Sequence, residues 1–281
     1  MKFKMKYLLL LLLALKGFSQ PKDEIKLPKG GKKIEIKSLT NLYSLYITKN
    51  QEVYNDDKKL EYFQDINYTL LDQKNKIPEP WIAQKVLLYA DAHTKYKFID
   101  KIKSHITSTF SLFYMTDNIY DLIATSFRFN NFSKKSFLLE EINSLQEEEL
   151  IESSSITMDI SDFANPWWVE LERDLYSDNK EVIQGAINQH NHTLITVSPN
   201  KALKHKDLLL NDNNLKALIK SNKVLYLDFD DNTYYEDYLD AIQKIKKHQI
   251  ALEKKQEEKA YVIEVSINLK KHLNQMGVEL N

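Results

Sequence analysis

The chain has 281 residues, 43% apolar and 28% charged, the composition of a globular protein with room for one large or two ordinary domains. Its 39 basic and 40 acidic residues leave a net charge of −1, so no global field recruits nucleic acid or an acidic surface. Arg128 and Arg173 are the only arginines, five glycines are present and cysteine is absent, which argues against bidentate phosphate forks and Gly-rich cradles and excludes disulfides and thiol chemistry.

In chain order, residues 1–19 read as a secretory signal peptide. Lys2, Lys4 and Lys6 precede an apolar stretch over 7–15, and Gly17 and Ser19 stand at −3 and −1 of a cut before Gln20. A spanning helix needs roughly 20 apolar residues, so cleavage is expected rather than retention as an anchor. The mature chain has no cysteine and must stand on its core alone, which suits a bacterial periplasm. Residues 20–38 are Lys-rich, hold Pro21, Pro28 and Gly30-Gly31, show no period, and read as a flexible tether.

A first module is expected over residues 39–120. Residues 42–47 form a strand and 53–54 a short return; Asn55-Asp56 caps a helix carrying Leu60, Phe63, Leu70 and Leu71. The run over 86–90 is wholly apolar, the mark of a buried central strand. Thr94 caps a second helix with Phe98, Ile99, Ile102 and Ile106 on one face, and a strand follows over 110–115. Residues 121–190 read as a helical connector, with one helical segment over 132–155 and another opened by Asn165-Pro166. That second helix carries Trp167-Trp168. Neighbouring positions on a helix point about 100° apart, so the pair either packs a seam or offers a stacking platform.

The second module, over 191–281, repeats the order. Strands are expected over 194–197, 208–210, 224–227 and 261–265, with Asn211-Asp212 in the place of Asn55-Asp56. A helix runs through Leu215, Leu218 and Ile219, Thr233 and Glu236 form a capping box for the next, and a closing helix spans 269–276. The repeat is visible in the letters: VLLYADAHTKYKFIDKI (86–102) against VLYLDFDDNTYYEDYLDAI (224–242) aligns Asp91 with Asp230, Thr94 with Thr233 and Tyr96 with Tyr235. Any αβ unit carries some such similarity by convergence; the shared Asp, Thr and Tyr at matching offsets favour duplication.

Few residues suggest chemistry. Asp228-Phe229-Asp230 after an apolar strand has the form of the nucleophile and acid/base pair of a haloacid-dehalogenase-like Mg²⁺ phosphatase, but Asp231-Asn232 replaces the following Gly-Thr. Asp228, Asp230 and Asn232 also suit positions 1, 3 and 5 of a calcium loop, which then fails at Thr233 and Leu239. His190 and His192 share a strand face without a third ligand. No enzyme, cofactor or metal site is expected.

The repeated unit resembles the periplasmic domain of the ExbD/TolR family of biopolymer-transport proteins. The resemblance lies in LYITKNQEVYNDD (45–57), VLLYADAHTKYKFIDKI and FSLFYMT (110–116) of the first copy, and more loosely in residues 193–267. It implies an α+β fold of two tandem β-β-α-β-α-β modules joined by the helical connector. It also implies a non-catalytic envelope binding or accessory module that engages TonB/ExbB-like proteins or the cell wall. The family's transmembrane helix carries an acidic residue for proton flow, and residues 8–15 have none. Because family members act in pairs, two fused copies imply a monomer with an internal pseudo-dimer, held at mM-scale effective concentration by the covalent link between the copies. The candidate binding residues are Asp91, Tyr96, Asp230, Tyr235, Trp167 and Trp168. The rival reading is a secreted structural or interaction protein with no transport role.

Overall fold

A computed structural model describes residues 24–34, 42–76, 85–106, 111–126, 167–252 and 260–280. The segment expected to be a signal peptide, most of the expected connector and its Asn165-Pro166 cap lie outside these residues. The fold is mixed α+β, with seven helices and two mixed sheets, of seven and five strands, among the described residues. No helix among them is long and apolar enough to cross a membrane. Contacts divide the chain into one unit of residues 1–94 and 111–126 and another of residues 95–110 and 127–281.

In the first unit the sheet runs β1-β7-β6-β5-β2-β3-β4. Its centre is parallel: β2 (Leu42–Ile47), β5 (Lys85–Ala90) and β6 (Ser111–Met115). One edge is the antiparallel ribbon β3 (Val53–Asn55) and β4 (Lys58–Lys59); the other is β7 (Ile123–Ser126) with β1 (Lys32–Lys33). In β2 the alternation is clean, with Tyr43, Leu45 and Ile47 buried and the residues between them half-buried. Helix α1 (Gln64–Lys76) buries Ile66 and Leu70, one turn apart. The opposite face of the sheet gathers Leu87, Tyr89, Met115 and Ala124 with Leu27, Ile34, Ile119 and Leu122.

Three expectations for this region fail. Residues 24–34 are not a tether: β1 pairs with β7, Ile25 and Pro28 are buried, and the Ile34 N–H donates to the Leu122 carbonyl. Gly31 serves close approach rather than flexibility, because a Cβ there would collide with Thr116 Oγ1 and crowd the Ala124 backbone. Residues 123–126 extend the sheet rather than begin a helical connector. Finally, Asn55 is a strand residue and Asp56 takes positive φ (51°) in the two-residue turn to β4, so neither caps α1.

The second unit holds the sheet β10-β9-β8-β11-β12. Here β8 (His192–Ser198), β11 (Val224–Phe229) and β12 (Tyr261–Glu264) are parallel, while β9 (Ala202–His205) and β10 (Leu208–Leu209) form the antiparallel ribbon. The expected return at 208–210 is therefore the second of two ribbon strands. Register repeats that of the first sheet: Ile47 pairs with Val53 and Ala90, and Val197 pairs with Leu203 and Phe229. Element order and pairing thus recur, with one extra ribbon strand per copy beyond the expected order.

Helices line both faces. Leu171 of α3 (Trp167–Asp174) and Leu175 just after it pack, with Ile183, Ala186 and Ile187 of α4 (Lys180–Asn188) and Leu269 and Leu273 of α7 (Ile267–Met276), against Val224, Tyr226 and Ile263. Between β8 and β11 lies α5 (Asp212–Ser221), whose Asn211 does cap it, accepting from the Asn214 N–H at 2.9 Å. The helix α6 (Tyr235–Ala251) places Tyr238 against Phe229, on the other face of β11 from that cluster. The helix α2 (Tyr96–Lys103), expected inside a 39–120 module, clusters with the second unit, where it contacts α6 and α7. Neither threonine cap forms. The Thr94 hydroxyl donates to the Thr48 carbonyl and the Thr233 hydroxyl to the Val197 carbonyl. Instead the Tyr96 N–H at the head of α2 donates to the Thr233 carbonyl, and Asp237 accepts from the Tyr234 N–H.

Candidate functional site

In both units the central strand ends in the same turn. The Asp91 N–H donates to the Ile47 carbonyl and the Thr94 N–H to the Asp91 carbonyl; Asp230 repeats both, with Val197 and Thr233. A short polar side chain tolerates this tight turn, and the buried threonine ties it back to the neighbouring strand. What differs is the carboxylate. Asp91 is 2% exposed, and its oxygens accept from the Lys26 N–H (2.9 Å) and the His93 N–H (3.0 Å). Asp230 is exposed, and its Oδ2 accepts from Ser198 Oγ at 2.5 Å.

Beside the Asp230 turn lies a cleft of about 940 Å³ at the carboxyl ends of β8, β11 and β12. It opens where the chain leaves β11 for α6 on one face and β12 for α7 on the other, the position at which parallel sheets usually hold ligands. Tyr96, Phe229, Val265 and Ile267 supply apolar surface, while Asp228, Asp230, Asp231, Lys97, Lys270 and Lys271 bring both signs of charge. Asp228 is already engaged, pairing with Lys270 Nζ at 2.7 Å and accepting from the Phe229 N–H. Asp100 of α2 accepts from the Ile267 N–H at 2.8 Å, so the first turn of α7 is satisfied.

Behind the cleft is a polar cluster that the sequence reading missed. Lys103 Nζ sits 2.5 Å from Glu264, 3.3 Å from the Tyr238 hydroxyl and 3.4 Å from the Tyr96 hydroxyl, and the Lys103 and Glu264 side chains are 1% and 2% exposed. Burial pushes the Glu264 carboxyl up to about 8 and the Lys103 ammonium down to about 8, since each charge loses its water. The Tyr238 hydroxyl donates to the other Glu264 oxygen at 3.3 Å. The signal was present: Lys103 continues the apolar stripe of Ile99 and Ile102, and Glu264 interrupts YVIEV.

The sequence candidates separate. Asp230 and Tyr96 reach the cleft; Tyr96 also stacks on Tyr238 at 4.4 Å between ring centres. Tyr235 is wholly buried in the second unit, and Asp91 is sealed in its turn in the first. Trp167 and Trp168 pack far from the cleft, at the amino ends of the strands. Trp168 stacks on Tyr261 (5.6 Å), and Trp167 meets His190 edge-on (4.5 Å) beneath Lys223. Both are half-buried. Among the described residues no three His, Cys, Asp or Glu groups are arranged to hold a metal ion, and His192 Nδ1 lies 3.0 Å from the His190 carbonyl. No family model, no curated protein and no solved structure matches the chain.

Proposed function

We propose that the chain is a non-catalytic binding module of the cell envelope, related to the ExbD/TolR periplasmic domain and acting through protein contacts. The observation that carries this reading is the repeated strand–Asp-x-x-Thr–helix turn, closed by the same backbone hydrogen bonds in two sheets of equal pairing and register. A binding role also suits the way the D-x-D residues are employed. Asp228 is neutralised by Lys270 and Asp230 braces Ser198, whereas a phosphatase needs one free nucleophile and one acid/base. On this reading the N-terminal segment is removed on export, and the mature chain is a monomer whose two copies serve as an internal pair.

Photo-crosslinking from cleft position Asn274 of the full chain in its native envelope is expected to trap a TonB/ExbB-like component. Trapping only peptidoglycan would favour the cell-wall form of the reading. A Mg²⁺-dependent phosphatase activity that disappears in Asp228→Asn would refute the non-catalytic assignment.

A further inference from the structure

The two turns are equivalent, and one of them already holds a peptide. In the first unit the Lys26 N–H donates to Asp91 Oδ2 (2.9 Å) and the Ala92 N–H donates to the Lys26 carbonyl (2.8 Å). Both main-chain groups of one residue are thus clasped by an Asp and the amide that follows it. The flanking Ile25 is buried, and the Pro28 carbonyl accepts from the Asp117 N–H. This is recognition of backbone, with an apolar neighbour as anchor.

In the second unit the same pair of groups recurs at the cleft in exposed residues: the Asp230 carboxylate, whose Oδ2 also accepts from Ser198 Oγ, and the Asp231 N–H. Phe229, Val265 and Ile267 offer an apolar surface beside them, and the Asp231 carboxylate replaces the Ala92 methyl. The volume falls within the range of about 300–1,000 Å³ typical of ligand pockets.

We propose that the Asp230–Asp231 turn clasps an extended segment of a partner protein, with the apolar–basic–apolar pattern of Ile25-Lys26-Leu27. One backbone N–H of that segment donates to Asp230, its carbonyl accepts from the Asp231 N–H, and its basic side chain meets the Asp231 carboxylate. This rests on the binding-module reading above and names the ligand class of the same site.

The test uses the full chain, ¹⁵N-labelled, and two peptides: the acetylated, amidated sequence of residues 24–28 (EIKLP), and the same peptide N-methylated at lysine. The plain peptide is expected to shift the Asp231 and Asn232 amides, and the N-methyl peptide to bind at least about tenfold more weakly because it lacks the clasped N–H. Asp231→Lys, at an exposed position, is expected to weaken the plain peptide about fivefold or more. Equal binding of the two peptides, or no shift at about millimolar peptide, overturns the proposal. Self-association of the chain that the peptide dissolves would make the occupant a second copy, and would overturn the assignment to a partner protein. If crosslinking from Asn274 still traps an envelope protein while the peptide fails, the binding-module reading stands and this inference alone falls.

Discussion

The Asp91 and Asp230 turns share a backbone and differ in what covers them. Over Asp91 the chain lays its own residues 24–34, whose close passage depends on Gly31 lacking a side chain. Over Asp230 there is a cleft of about 940 Å³ with charges of both signs. One geometry therefore serves as an internal latch in one place and as an open site in the other. The lesson is that the Asp in this motif is first a turn residue, and its availability is decided by what packs on it.

The largest expected effect comes from a position where the two sheets diverge. By register Glu264 stands where the first sheet has Tyr114: Leu227 pairs with Glu264 as Leu88 pairs with Tyr114. Breaking the buried pair with Lys103→Ala or Glu264→Ala is expected to cost about 3–5 kcal/mol in denaturant unfolding, because a buried ionisable group is left without its partner. The double replacement Lys103→Met/Glu264→Leu should be much milder; equal damage would show that the pair's charges are not what matters. The pH dependence has a definite sign. Glu264 has its folded pKa raised from 4.5 to about 8, so its contribution is complete below 4.5 and is lost as pH rises through about 8. Glu264→Gln is expected to remove that decline, and an unchanged slope in a pH series of unfolding midpoints would sink the assignment.

The next effect sharpens the contrast itself. Asp91→Ala leaves the Lys26 and His93 amides without their acceptor, and is expected to destabilise by about 2–3 kcal/mol and to expose residues 24–34 to proteolysis. Asp230→Ala, at an exposed carboxylate, should cost about 1 kcal/mol or less. Calorimetry showing equal losses would mean that the covering segment adds nothing to the turn.

The smallest effect tests sameness. Thr94 and Thr233 are both fully buried, and each donates one hydroxyl hydrogen bond to a neighbouring carbonyl. Thr→Val at either is expected to cost about 1 kcal/mol, within error of the other. Unequal values in the same unfolding assay would show that the two turns are not energetically equivalent.

The sequence by itself determined the mixed α+β class, both central strands and the recurrence of one unit. Apolar runs such as 86–90 and 224–227 can only be satisfied by burial on both faces, and the repeated Asp, Thr and Tyr fall at the same offsets from each. It also marked Asp230 and Tyr96, which reach the cleft.

Only the tertiary structure decided the rest. Lys58-Lys59 carries no period over two residues and Ala202–His205 is a short run half made of Lys and His, so one ribbon strand of each copy has no local signature. Thr94 and Thr233 suit helix caps as well as strand ties, and the choice depends on which carbonyl is nearest in space. The Lys, Pro and Gly of 24–34 have the composition of a linker, but that segment is bound through its backbone, which composition does not encode. An amphipathic stripe such as Phe98, Ile99 and Ile102 states that a face must be buried without naming the partner, and contacts place α2 with the second unit. Side-chain identity fixes which surfaces leave water; long-range packing alone fixes which surfaces meet, and so which of two equal turns stays open.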